Sequence, residues 1–271
     1  ASDDTCLSVT VPTYRPDIER EIDLVEEIAR IYGYDRIPIK LPAGDIPIPD
    51  RQPQLAIEQH VKSHLLESGL MEAINYAFYH ADMPKRLRLA QQQLIPIQNP
   101  LNEEFAVLRT SLLPSLLVNA QRNCSHQVTN IRLFEIAKVF RLPSDQVNLK
   151  AQQLPVEQQH VAGVMVGSFG IGWYEAAKRP VDFYDLKGVV EGLLEASGVT
   201  DYEIKSAALP TFHPGRCAEL WHNNSSFGVL GEVHPEVLAS FDLSDRAYLF
   251  ELNLDTIAAL ANPEKQFVPI P

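Results

Sequence analysis

The chain has 271 residues, 45% of them hydrophobic, which is enough to bury a sizeable core as one large domain with a smaller companion. A formal net charge of -12 and a pI near 5.1 exclude a general nucleic-acid-coating surface, because a phosphate backbone selects clustered Lys and Arg, so any RNA contact is local. Cys6, Cys124 and Cys217 form an odd set without C-x-x-C spacing, which argues against a disulfide framework or a zinc site and for a reducing compartment, the cytoplasm.

No apolar run reaches the ~18 residues needed to span a bilayer, and the polar start "ASDDTC" lacks the apolar core of a signal peptide. The stretch "CLSVTVP" predicts a strand running directly into helix chemistry. With no initiator Met, the chain reads as beginning inside a domain of a longer parent. After Pro16, which suits a first helical turn, Ile18, Ile22, Val25, Ile28, Ala29 and Tyr32 recur at helical spacing until Gly33, predicting an amphipathic helix. Five prolines in "IPIKLPAGDIPIPDRQP", residues 37–53, have the composition of an extended linker. The boundary falls there, dividing the end of a small helix/strand domain, residues 1–45, from a larger domain, residues 46–271.

Beyond the linker, Leu55, Ile57, Val61, Leu65 and Leu66 predict a helix stopped at Ser68-Gly69, followed by strand residues. A leucine-rich helix starts near Ser111, with Pro114 tolerable in its opening turn. "NIRLFEIAKVFRL" alternates as a half-buried strand does, and "HVAGVMVGSF" reads as a buried strand. "DFYDLKGVVEGLLEASGV" is a turn and helix ended by Gly198, and "CAELWHNNSSFGVLGEVHP" a hairpin around Asn223-Asn224. Strands outnumber helices and pair mostly with neighbours. The fold class expected is α+β, an antiparallel sheet flanked by helices.

One feature along the first helix has a chemical reading. Asp17, Asp23, Glu26 and Glu27 sit at offsets of zero, six, nine and ten, so a helix through all four puts them at about 0°, 240°, 180° and 280°. Three of them cluster on one side, and Arg20, three before Asp23, is the one basic residue at a matching spacing from Asp23. Hard oxygen ligands of this kind suit Mg2+, and an acidic run at a helix start equally suits a solvated face stabilised by the helix dipole.

Long strings in a fixed order, "PTYRPDIEREIDLVEEIARIYGYDRIP", "NPLNEEFAVLRTSLLPSLL", "RLFEIAKVF", "DFYDLKG" and "FHPGRCAEL", resemble the beta chain of bacterial phenylalanyl-tRNA synthetase over nearly the whole chain. The resemblance implies a class II aminoacyl-tRNA synthetase-like core without catalytic motifs, preceded by a small domain fragment. It implies a heterotetramer of two alpha and two beta chains in which alpha binds ATP and carries catalysis, with tRNA(Phe) engaged through the full assembly. It also implies that Asp17, Asp23, Glu26 and Glu27 hold Mg2+ near the partner alpha chain. The leucine stripe Leu112, Leu113, Leu116 and Leu117, open between core and subunit interface on its residues alone, moves toward interface. The alternative is a free-standing class II-like scaffold or regulatory module.

A class II adenylating site needs an Arg on the ATP α-phosphate, within an R-x-E strand motif, and a second Arg after a Gly-rich strand, because phosphate charge must be neutralised. Arg132 and Glu135 are one residue too far apart, which on a strand of period two places them on opposite faces. "AYLFELNLDTIAAL" offers neither glycine nor arginine where the second would belong, and in "GSFGIGW" Glu175 follows where a cation would be needed. His213 and Arg216 in "HPGR" read as a capped turn, and Asp182, Asp185 and Lys187 as a helix cap with its neighbours. No catalytic residue is therefore expected, and the chain alone should be inactive.

Overall fold

The computed structural model describes residues 2, 3, 6–41, 43, 44, 53–89, 93–143, 154–169 and 179–262, which fall into two units, residues 1–50 and 51–271. The linker residues 45–52 lie outside the described set, as do residues 170–178 of the glycine-bearing stretch, Glu175 among them.

In the first unit, β1 (Ser2–Asp3) pairs antiparallel with β2 (Cys6–Leu7). The strand predicted to run to Pro12 stops at Leu7. Helix α1 spans Glu21–Tyr32 rather than starting at Pro16. Turns closed by Arg15 N–H to Pro12 O and Ile18 N–H to Arg15 O occupy residues 12–18. The start is set by Asp23, whose Oδ2 accepts the backbone N–H groups of Glu19 at 2.9 Å and Arg20 at 2.7 Å, satisfying donors that a longer helix would have used. Gly33, at φ +101, ends it. The apolar residues Ile22, Val25, Ile28 and Ile31 of α1 are all exposed.

The second unit runs α2 (Pro53–Glu67), β3 (Met71–Glu72), β4 (Phe78–Tyr79), α3 (Met83–Arg86), β5 (Ile95–Pro96), β6 (Val107–Leu108), α4 (Leu113–Ser125), β7 (Ile131–Arg141) and β8 (Val156–Val166). It continues with β9 (Ser168–Phe169), β10 (Arg179–Pro180), α5 (Phe183–Ala196), β11 (Glu203–Ser206), β12 (Phe212–His222), β13 (Ser225–Val233), α6 (Pro235–Ser240), β14 (Ala247–Asn253) and α7 (Leu254–Leu260). Seven strands form one sheet in the order β11-β12-β13-β14-β8-β7-β3. Every pairing is antiparallel except that of the short edge strand β3, which joins β7 parallel, a departure from the all-antiparallel expectation. Strands β4, β6 and β5 make a separate small sheet.

Alternation along the central strands divides the core. Phe134, Val161, Met165, Phe250 and Leu252 pack on one face with Ile57, Val61 and Leu65 of α2, Leu186 and Val190 of α5, and Ile257 of α7. Ile131, Val139, Val164, Val166 and Leu249 pack on the other with α4 and α6. The result is a sheet between two helical layers. Gly163 on β8 is obligatory, because a Cβ there would lie 2.4 Å from the Phe250 ring.

The leucine stripe is not an interface. Leu112, Leu116, Leu117 and Ala120 are fully buried and Leu113 nearly so, all within this chain, because α4 lies flat on the β7-β8-β14 face and β-strand residues fill the other side of the contact. The cap at α5 is as expected: Asp182 Oδ1 accepts from Tyr184 N–H and Asp185 N–H, and Asp185 Oδ2 accepts from Asp182 N–H.

Candidate functional site

The acidic segment is arranged around arginines. Arg15 Nη2 donates to Asp17 Oδ2 at 2.8 Å and to Glu27 Oε1 at 2.5 Å, and Arg30 Nη2 donates to Glu27 Oε2 at 2.6 Å. These guanidiniums, Arg15 foremost, hold the Glu27 carboxyl down at about 2, and Arg15 likewise lowers Asp17. Asp23 is lowered by the backbone N–H groups of Glu19 and Arg20 that it caps. Glu26 is exposed on α1 and makes no hydrogen bond or ion pair among the described residues. Asp17 precedes α1, so the angular position expected for it on a helix does not apply. Arg15 instead brings Asp17 and Glu27 together, and Asp23 faces the helix start. Among the described residues no three His, Cys, Asp or Glu side chains are placed to hold a metal ion. In this arrangement a guanidinium stands between two of the four carboxylates, Asp17 and Glu27.

The second cluster lies on the sheet face toward α4. Arg132 and Glu135 point to opposite faces of β7, as their spacing requires. Arg132 Nη2 donates to Ser168 O at 3.0 Å on the α5 side. Glu135 is 2% exposed on the other side and pairs with Arg109, whose Nη1 donates to Oε1 at 2.7 Å. Asn75 adds its backbone N–H at 3.2 Å and its Nδ2 at 2.8 Å. Arg109 is otherwise held by Lys138 O and Tyr76 O.

Glu135 and Glu251 both pair in register with Ala162 of β8, so the two carboxylates flank that strand on one face. Glu251 accepts from Ser111 Oγ at 2.7 Å and Leu112 N–H at 2.9 Å, and its Oε1 lies 3.0 Å from His160 Nδ1. Burial works to raise its carboxyl, but His160, Ser111 and the Leu112 amide outweigh this and hold it below the usual range. A face suited to adenylation would offer unengaged cations to phosphate oxygens. This face presents carboxylates, and Arg109 and His160 are both engaged as their partners.

Next to this cluster a 540 Å3 cleft opens between residues 75–83, Phe105 and the outer side of α4 at Ser115 and Val118. Tyr76 stacks on Phe78 at 5.3 Å, and Phe105 meets both edge-on. Tyr76 is 67% exposed, and Ile74 and Leu101 are almost fully exposed.

Three groups escaped sequence reasoning. Arg109 lies 26 residues from Glu135, and His160 and Ser111 lie 91 and 140 residues from Glu251, so no local spacing could have paired them. Arg15, two residues before Asp17, was legible as a neighbour of that carboxylate but not of Glu27.

A family model, tRNA synthetase B5 domain, matches residues 1–34, and another, Phenylalanyl tRNA synthetase beta chain CLM domain, matches residues 37–254. The chain is 37% identical over 260 residues to the phenylalanine-tRNA ligase beta subunit of Syntrophotalea carbinolica, covering 94% of this chain and 32% of that one. It is 39% identical over 274 residues to that of Bacillus licheniformis, covering 98% and 32%. The chain thus spans 32% of the length of these curated relatives. A crystal structure of pyrrolysyl-tRNA synthetase from Desulfitobacterium hafniense superposes with a TM-score of 0.58 over 78% of this chain and 70% of its own, at 15% identity, a likeness of fold alone. With a beta-chain domain model matched over most of its length and beta subunits aligned almost end to end, the chain belongs to the phenylalanyl-tRNA synthetase beta chain family.

Proposed function

We propose that this chain is a structural, assembly-making part of the beta subunit of a phenylalanine-tRNA ligase, the ATP-dependent enzyme that attaches phenylalanine to its tRNA. Adenylation and ATP binding belong to a partner alpha chain, in an assembly of two alpha and two beta chains that engages tRNA(Phe) as a whole. One observation carries the reading of a silent domain: Glu135 and Glu251 occupy the central strands on the α4 side and consume Arg109 and His160 as their partners. The layout is a small helix/strand domain over residues 1–45 and a class II-like, non-catalytic domain over residues 46–271. A cytoplasmic location accords with the free thiols of Cys124 and Cys217, and no helix among the described residues is long and apolar enough to cross a membrane.

The aromatic cleft beside α4, lined by Tyr76, Phe78, Phe105 and Val118, is the surface offered to the alpha chain, since exposed apolar surface of this kind marks an interaction site. Gel filtration with and without alpha tests this. Co-elution that Tyr76→Asp removes supports it, and separate elution of two folded chains returns the protein to a free-standing scaffold. Phenylalanine-dependent pyrophosphate exchange by the chain alone, abolished by Arg132→Ala, would overturn the silent-domain reading.

In the assembled enzyme Mg2+ is held by Asp17, Asp23, Glu26 and Glu27, a reading supported by the family resemblance and by the low proton affinity of Asp17, Asp23 and Glu27. Ion and guanidinium then compete for one position. Arg15→Gln should increase Mg2+-dependent thermal stabilisation of the alpha-beta complex, and Asp23→Asn with Glu27→Gln should remove it. An unchanged Mg2+ response in the double variant would leave the segment as an arginine-neutralised helix start.

A further inference from the structure

Two strings that read as scaffold in the sequence, "DFYDLKG" and "FHPGR", converge on one cavity of 500 Å3 between the first turn of α5 and the β12-β13-β14 end of the sheet. The register of β12 against β13 jumps there: Phe212 pairs with Val233 and Cys217 with Gly231, so residues 213–216 bulge out opposite Glu232 alone. Gly215, at φ +81, makes the turn. A bulge of this kind re-aims a side chain. Here it sends Arg216 back over the sheet, where Nη1 donates to both oxygens of Glu232 at 2.9 and 2.7 Å.

Glu232 is 5% exposed, and a second guanidinium stands beside it, with Arg246 Nε 3.8 Å from its Oε1. Two arginines thus face one carboxylate. Among the described residues the Nε and Nη2 of Arg216 have no acceptor. The other charges of the cavity are directed elsewhere: Lys187 donates to Glu191, and Asp182 accepts from the amides it caps. Tyr248 forms the buried floor, and Tyr184, 75% exposed and held edge-to-face by Phe183 at 5.7 Å, stands at the rim.

We propose that this cavity binds a nucleotide phosphate, with Arg216 and Arg246 as a fork for the phosphate oxygens and Tyr184 as a stacking surface for the base. Among the described residues Arg216 keeps its Nε and Nη2 donors for a ligand, planar guanidiniums match phosphate geometry, and an exposed tyrosine at the rim suits a base. The nucleotide can be free or the end of an RNA strand, since both present the same phosphate and base. In a chain of net charge -12 such contact has to be local, and this cavity is local.

Isothermal titration of the full chain with 5′-AMP and with a 5′-phosphorylated RNA tetranucleotide tests the proposal. The expected result is binding with a Kd on the order of 1 mM or tighter. Arg246→Ala should weaken it roughly tenfold, as should raising the salt severalfold. Arg246 is 69% exposed, so that variant folds. Arg216→Ala would strand a buried carboxylate, and Arg216→Lys is the safer partner variant, keeping the charge while losing the fork. Tyr184→Ala should weaken AMP but not inorganic phosphate. AMP binding comparable to that of the tetranucleotide assigns a free nucleotide, and binding of the tetranucleotide alone assigns an RNA end. No binding of either at ~10 mM, or binding that Arg246→Ala and Tyr184→Ala both leave unchanged, overturns the proposal.

Discussion

Breaking the Arg109-Glu135 pair from either side should cost far more than the pair itself is worth. Both side chains are nearly inaccessible, at 4% and 2%, and the contact is 2.7 Å. Removing one partner of a buried pair leaves an uncompensated charge, at ~3–5 kcal/mol. In Arg109→Met the Glu135 carboxylate keeps the two Asn75 donors, which places the loss near the low end, about 3 kcal/mol. In Glu135→Met the guanidinium keeps Lys138 O and Tyr76 O, and a similar loss of about 3 kcal/mol follows. The double variant strands no charge but leaves the Asn75 amide and those two carbonyls poorly satisfied, again about 3 kcal/mol. The cycle therefore predicts a coupling of about 3 kcal/mol, the single and double variants being almost equally destabilised. Urea unfolding followed by tryptophan fluorescence measures it, since Trp221 of β12 lies in the second unit. Additive losses, with the double variant near 6 kcal/mol, would refute mutual neutralisation and with it the argument that Arg109 is unavailable to a phosphate.

Leu116→Ala, at a position with no exposure, should cost ~2–5 kcal/mol and lower the melting temperature while leaving alpha-chain assembly of the folded fraction unchanged, as gel filtration would register. Loss of assembly without loss of stability would restore the interface reading. Asp182→Ala removes the acceptor of two amides at the start of α5 and should cost about 1 kcal/mol, read as a lower urea midpoint at constant slope. Glu27 has a folded pKa of about 2 against an ordinary 4.5, so its contribution to stability is complete above pH 4.5 and is lost as pH falls from there toward 2. Glu27→Gln should flatten the fall in melting temperature across that window, and a parallel curve would show that the ion pairs with Arg15 and Arg30 contribute nothing.

By itself the sequence determined most of what repeats along the chain. The period of the leucines from Leu112 to Leu117 makes a helix, the alternation in residues 130–142 makes a strand, and Asp182 starts α5, because each is set by neighbours within a turn or a pleat. It also placed Arg132 and Glu135 on opposite faces, since strand geometry leaves no choice. Where a helix begins was less legible: the side chain of Asp23 captures the amides of Glu19 and Arg20, and that local competition moved α1 forward to Glu21.

Tertiary structure decided what those elements face. The leucines of α4 are core and not interface because β7, β8 and β14 lie beneath them, a consequence of strand order that helical period does not contain. The partner of Glu135 is Arg109, that of Glu251 is His160, and "DFYDLKG" meets "HPGR" across a cavity. Each of these meetings joins residues far apart in the chain, brought together by the burial of apolar faces on both sides of one sheet. Hydrophobic patterning specifies which face turns inward, but it is non-directional, and only the folded packing assigns each charge its neighbour.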